Sequence, residues 1–361
     1  MRFLLAVFIL LVASAPAKSA EQVPDYLKDL DRPYNAGDWT LQCNSSQLCQ
    51  IIGVVKIPHG HAAIRAVVMI KRGIAKDAKP SLRIAFVDSV GRIDASLPVT
   101  NWRLYSRGLP KMPPPIRLEL GEIEADGAYT VTPDIAAKII SALKRWPGAV
   151  VQDRGRNVAK MPRGDLARLF RKMDRLQHPK KPRMTAQETA EWLKEYHYVI
   201  LRALPFEGSV PDSVLLSCDT RTYVDMPFGV RVAPDQVLFT ADCPEGSKIF
   251  LQKAGQEPVK FDVSYSDGKI YPHGYAGFNA ETSLLEIQIP KNGNLECGRW
   301  LKIGFTGSKF AMIEDRRYDR CRAVPYDLWP KVWYPTSWKY ADTPPTNEGN
   351  APPIVEGVKR P

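Results

Sequence analysis

Ser141-Ala142-Leu143-Lys144 sets a hydroxyl and an amine one helical turn apart, the spacing at which a lysine activates a serine nucleophile in acyl-transfer enzymes. The Ser-Asp-Asn and Lys-Thr-Gly companions of that chemistry are absent, and Thr306-Gly307 lacks the preceding lysine, so a solvated helix face is the better reading. His59-Gly60-His61 offers two imidazoles to a metal without a third ligand nearby, which reads as a loop. His178, His197 and His273 have no sequence-near partners for a Ser/His/Asp or Cys/His mechanism. Glycine-rich phosphate motifs are missing, and the separation of paired carboxylates that glycoside cleavage needs is a spatial quantity. The expectation is therefore no catalytic residue, no metal and no cofactor.

The cysteines carry covalent rather than catalytic chemistry. Cys43, Cys49, Cys218, Cys243, Cys297 and Cys321 are even in number and contain no Cys-x-x-Cys pair, which in an exported chain reads as three disulfides. Spacing favours the sequential pairing: Cys43 with Cys49, Cys218 with Cys243, and Cys297 with Cys321. Loop entropy would make the first worth about 2 kcal/mol and the longer two about 3.5 kcal/mol each. Export is expected from Met1-Arg2, the apolar run Phe3 to Val12, and Ala15-Pro16-Ala17. That order places signal cleavage before Lys18, with cuts after Ser19 or Ala20 as alternatives. No later stretch reaches the roughly 18 apolar residues of a membrane helix, so no span is expected after cleavage.

Binding chemistry is concentrated in one segment. The chain has 361 residues, with 50 Lys and Arg against 39 Asp and Glu, a net charge of +11. Residues 152–183 alone contribute +8, leaving the remainder of the mature chain at +2. Within that segment Arg168, Arg171, Lys172 and Arg175 fall opposite an apolar stripe of Leu169, Phe170 and Met173. Such a ridge suits an anionic envelope component or an acidic protein; the competing reading is an ordinary solvated face. Nucleic acid is not expected, since no recognised module accompanies the charge. Inhibition of lysozyme-like enzymes fits poorly, because such targets are commonly basic. Trp329, Trp333, Tyr334, Trp338 and Tyr340 form an aromatic cluster, expected as a strap closing the last sheet, with stacking on sugars or peptides as the alternative.

These groups are positioned by strands, then helices, then strands again. Trp39–Cys43 alternates as a half-buried strand and returns after a turn at 44–47 through Cys49–Val54, with further strands over Ala63–Lys71, Leu82–Val90, Ile116–Leu120 and Ala128–Val131. Thr132-Pro133-Asp134 opens a helix with a hydroxyl cap, Asp165 opens a second, and the Thr185…Glu188 capping box opens a third running to about Leu201. From Ser213 the pattern is β again: Val214–Cys218, Gln236–Ala241, Lys248–Gln252, Val259–Val263, Ser283–Ile289, Arg299–Phe305 and Lys309–Ile313.

Gly37-Asp38-Trp39…Cys43-Asn44…Cys49 and Cys297-Gly298…Gly307…Phe310…Cys321…Trp329-Pro330…Trp333, with Asp174…Gln177 between them, resemble a family of exported bacterial six-cysteine proteins known as domain of unknown function family eleven seventy-six. The resemblance spans most of the mature chain. It departs at Pro244-Glu245-Gly246 and at Phe305-Thr306-Gly307. It implies an exported, disulfide-bonded protein and assigns no catalytic residue.

The expected fold class is α+β, with two β-rich, mainly antiparallel domains joined by a basic helical segment and held by three disulfides. The expected division is a signal peptide at 1–17, a leader at 18–33, an N-terminal β domain at 34–131, a helical connector at 132–205, a C-terminal β domain at 206–340 and a Pro-rich tail at 341–361. The expected role is periplasmic or secreted, non-catalytic binding or envelope maintenance. The alternative is a cell-envelope hydrolase whose groups converge from distant segments.

Overall fold

The computed structural model describes residues 32–44, 48–57, 63–75, 77–88, 92–93, 102–106, 113–146, 148–178, 197–218, 225–243, 246–260, 274–307, 310–322, 324–333 and 337–341. Its first five strands are sequential antiparallel neighbours: β1 (Tyr34–Ala36), β2 (Trp39–Cys43), β3 (Cys49–Lys56), β4 (Ala63–Arg72) and β5 (Ser81–Asp88). After β6 (Trp102–Tyr105) and β7 (Ile116–Arg117), strands β8 (Leu120–Ile123) and β9 (Tyr129–Val131) complete a seven-stranded sheet in the order β1-β2-β3-β4-β5-β9-β8. Helix α1 (Pro133–Arg145), the hairpin β10 (Val150–Asp153) and β11 (Arg156–Lys160), and helix α2 (Leu166–Gln177) follow. The hairpin joins β6 and β7 in a four-stranded sheet.

The central strands of the seven-stranded sheet are covered on both faces, and their pleat sorts the side chains accordingly. On β4, Ala66, Val68 and Ile70 point into a core with Ile139, Leu169, Phe170 and Met173 of the helices. Val67 and Met69, on alternate positions, point into a different core with Trp300, Tyr318, Leu328 and Trp329 of the C-terminal half. Helices α1 and α2, which fall in the segment 132–205 expected as a connector, thus contribute a helical layer to the first core. Gln177 fastens that layer to the end of β4: Arg72 donates to Gln177 Oε1 at 2.6 and 2.8 Å, Gln177 Nε2 donates to the carbonyls of Arg72 and Gly73, and Arg72 also pairs with Asp174 at 2.7 Å.

The C-terminal half begins with β12 (His197–Ile200), β13 (Leu204–Pro205) and the short helix α3 (Asp212–Leu215). Strands β14 (Asp225–Ala233), β15 (Gln236–Asp242), β16 (Lys248–Lys253) and β17 (Val259–Lys260) join β13 in one five-stranded antiparallel sheet. A second comprises β18 (Tyr275–Asn279), β19 (Leu284–Lys291), β20 (Asn294–Phe305), β21 (Phe310–Tyr318) and β22 (Lys331–Trp333). Val230, Leu238 and Ile249 of the first pack against Leu285, Ile287, Leu301 and Ile303 of the second, forming a β-sandwich. Strand β23 (Ser337–Tyr340) pairs with β12 in parallel.

The fold class is the β-rich α+β arrangement expected from the sequence, and all three disulfides pair sequentially, Cys43–Cys49, Cys218–Cys243 and Cys297–Cys321. Several local expectations differ. The third helix falls largely on residues outside the described set, and its expected end is the strand β12, where β-favouring Tyr198-Val199-Ile200 pair with β23. Val214 lies in α3 rather than a strand, because Pro211 and Asp212 open a helical turn there. Thr132 precedes α1 without a side-chain cap bond, whereas the Asp165 carboxylate caps α2 by accepting from the Arg168 N–H at 2.7 Å. Strand β14 escapes the sequence pattern because Pro227 and Gly229 interrupt it; a Cβ at Gly229 would lie 2.9 Å from the rings of Phe206 and Phe239. The β10–β11 hairpin turns on Arg154 and Gly155, both at positive φ, a short-range signal present in the sequence.

Two-sided burial has a measurable consequence. Met69→Ala and Ile70→Ala, on opposite faces of β4, should each cost about 2–5 kcal/mol in urea unfolding. A negligible cost at Met69 would mean that the C-terminal half does not seal its face.

Candidate functional site

Three places gather charged or reactive side chains. The first is the outer helical layer. Burying Leu166, Leu169, Phe170, Met173 and Leu176 leaves Arg168, Arg171 and Arg175 exposed along one stripe of α2 at three- and four-residue steps. Lys172 is half-buried, its ammonium 4.0 Å above the Tyr34 ring. Arg171 lies 3.6 Å from Asp165 and Asp174 is drawn toward Arg72, so the carboxylates of this helix are turned to its two ends. Arg168 and Arg175 form no ion pair among the described residues. Helix α1 packs beside α2 and adds exposed Lys138, Lys144 and Arg145, which the sequence reading of the ridge omitted. Their i, i+6, i+7 spacing along an amphipathic helix was the available signal. Lys180, Lys181 and Arg183 lie outside the described residues.

The second place is a cleft of about 920 Å³ between the N-terminal sheet and the C-terminal sandwich. It opens where the inter-half face of β4 and β5 runs from apolar to charged: Met69 stands opposite Arg83, and Lys71 opposite Ser81. Arg83 is 3% exposed and pairs with Glu124 at 2.7 Å and with Asp126. Across the cleft, Glu314 of β21 receives Arg316 and, at 2.5 Å, Lys331 of β22. Burial alone would raise the Glu314 carboxyl, but the two cations outweigh it and hold it below the usual carboxylate range. The same balance lowers Asp126 against Arg83. Burial lowers the Lys71 ammonium, and Arg83 beside it adds to the effect.

A third set lies in a neighbouring cleft of about 880 Å³. There Asp38 accepts from the Arg163 N–H and from the Arg322 guanidinium, each at 2.9 Å. Burial opposes ionisation of Asp38, yet these donors keep its carboxyl below its ordinary value. Gly37 and Gly164 make that contact possible: both have positive φ, and a Cβ on Gly164 would lie 2.0 Å from the Ala36 carbonyl oxygen.

Enzyme-like groups do not assemble with these clefts. Ser141 is exposed on α1, and Lys144 turns away to lie 3.5 Å above the Phe170 ring. His178 is exposed beyond α2, while His59, His61 and His273 lie outside the described residues and His197 stands in β12. Among the described residues no three His, Cys, Asp or Glu are placed to hold a metal. The aromatic cluster divides: Trp329 is buried between the halves, donating its indole N–H to the Val324 carbonyl at 2.7 Å, whereas Trp338 is 39% exposed at the first cleft and meets Tyr340 edge-on. Trp333 is in β22, and Tyr334 is outside the described residues.

No protein-family model, curated protein or solved structure matches the chain.

The paired carboxylates set the acid response. Asp38, Asp126 and Glu314 have lowered pKa values in the fold, so their stabilisation is present above the unfolded carboxylate range of about 4 and is lost as pH falls through the folded values. Urea midpoints should drop between pH 5 and pH 2. Glu314→Gln should be less stable than the parent at pH 7 and lose less on acidification; parallel pH curves would remove Glu314 from this account.

Proposed function

We propose that this is an exported, periplasmic or secreted, non-catalytic protein that docks on an anionic envelope surface through the outer face of α1 and α2. The single observation that carries the reading is the guanidinium stripe Arg168, Arg171 and Arg175, exposed while every large apolar residue of α2 is buried. A stripe spanning seven residues is about 10 Å long, suited to several neighbouring phosphates rather than to one. With its apolar side chains committed to the core, the helix has charge alone to offer, which favours headgroups over a shaped protein partner.

Other features support the setting. Three disulfides fit an oxidising compartment, and among the described residues no helix is long and apolar enough to cross a membrane. The likeness of Gly37-Asp38-Trp39 and of the closing cysteine and tryptophan pattern to domain of unknown function family eleven seventy-six points the same way.

A basic side chain near an anionic lipid surface contributes about 1 kcal/mol. Replacing Arg168, Arg171, Lys172 and Arg175 together by Gln should weaken co-sedimentation with phosphatidylglycerol-containing vesicles at least tenfold at low salt. Parent binding should fall steeply with ionic strength and be absent on phosphatidylcholine alone. A quadruple variant that binds like the parent would exclude the ridge as the docking face.

A further inference from the structure

We infer that the cleft between the two halves binds an acidic saccharide, with a sugar carboxylate at Lys71 and a pyranose ring against Trp338. The site is separate from the helical ridge and rests on different residues.

The lining of the cleft carries more cations than carboxylates. Of the cations lining the cleft, Arg83 is occupied by Glu124 and Asp126, while Arg316 and Lys331 share Glu314. The Lys71 ammonium makes no hydrogen bond or ion pair among the described residues, although it is half-buried; Arg83 and Lys331 act on it from one side and Asp126 and Glu124 oppose them. Its lowered pKa is chiefly the mark of a cation held where water is scarce. A bound anion would relieve that cost. Arg83 is held to two carboxylates through Nη2, so the cations left without an ion pair among the described residues are the ammonium groups of half-buried Lys71 and exposed Lys79, point charges that match a carboxylate better than they match a phosphate seeking bidentate donors.

The rest of the lining suits a sugar. Trp338 keeps a large aromatic surface exposed at the cleft, held edge-on to Tyr340, whose hydroxyl donates to the Thr282 carbonyl. An exposed, rigidly backed indole is a stacking platform for the C–H face of a pyranose. Gln50, beside Lys71 on the neighbouring strand, adds an amide to the lining, its Nε2 donating to the Leu328 carbonyl at 3.3 Å, and a cavity of about 920 Å³ has room for a disaccharide.

Titration calorimetry on the mature protein at low salt, with digalacturonate as probe, tests this. Digalacturonate should bind at least tenfold more tightly than neutral galactobiose and than inorganic phosphate. Lys71→Gln and Trp338→Ala should each weaken it tenfold or more while leaving the thermal midpoint within a few degrees, and Lys71→Arg should recover most of the affinity. The quadruple ridge variant should bind digalacturonate like the parent. Absence of digalacturonate binding, equal binding of galactobiose or of phosphate, or full affinity in Lys71→Gln would overturn the inference. Should Trp338→Ala fail to fold, Lys71→Gln against Lys71→Arg still decides it.

Discussion

The constraint on which this molecule depends is that one sheet has no solvent face. Strands β3 to β5 send alternate side chains into two different cores, one roofed by α1, α2 and the small four-stranded sheet, the other by the C-terminal half. A sheet so enclosed cannot alternate apolar with polar; it must be apolar on both sides, or pair what is not. That requirement explains Ala66-Val67-Val68-Met69-Ile70 in β4 and the burial of all five residues of β2, including Thr40 and Gln42. It also joins the halves: the second core draws Trp300, Tyr318 and Trp329 from one side and Ile52, Met69 and Val87 from the other, so neither half is complete alone.

Where that sheet reaches its edge, the same geometry concentrates charge. The inter-half face ends in Lys71 and Arg83 on one side and faces Glu314, Arg316 and Lys331 on the other. Partly desolvated cations there are compensated by carboxylates from remote segments, Asp126 in a turn after β8 and Glu314 in β21. Each of these pairs closes within its own half, where breaking it would leave an ion in a low-dielectric site; among the described residues the ion pair that joins the halves is Asp38–Arg322, at 2.9 Å. On the opposite face of β20 and β21 the buried Arg299–Asp315 pair, at 2.5 Å, places the same demand on the inside of the sandwich.

What the sequence made legible was local. The Cys43–Cys49 pairing followed from a short hairpin, and the stripe Leu169, Phe170, Met173 and Leu176 followed from helical spacing; both are found as expected. Elements whose reason is tertiary were not legible. Strand β14 contains Gly229 because two phenylalanine rings close over that glycine, and β12 is a strand because β23, over a hundred residues away, pairs with it. Segment 132–205 looked like a connector because its helices are amphipathic, but periodicity gives the existence of an apolar face and not its partner. The cleft was least visible of all, since Lys71 and Lys331 converge only after the whole chain has folded.

The opposing electrostatics of the two basic regions follow from burial. On α2 the arginines are solvated, so their field reaches outward and is damped within about a Debye length, roughly 8 Å at physiological ionic strength. In the cleft, Arg83 is removed from water and paired with Glu124 and Asp126, and Lys71 beside it is half-buried, so their field is less screened by salt than that of the solvated arginines. Sequence charge counting weighs these equally and therefore assigned the basic character to 152–183. Once burial is known, the weight shifts: the segment with the most charge carries solvated, screened arginines, whereas the half-buried lysine near the end of β4 sits where a charge is less screened.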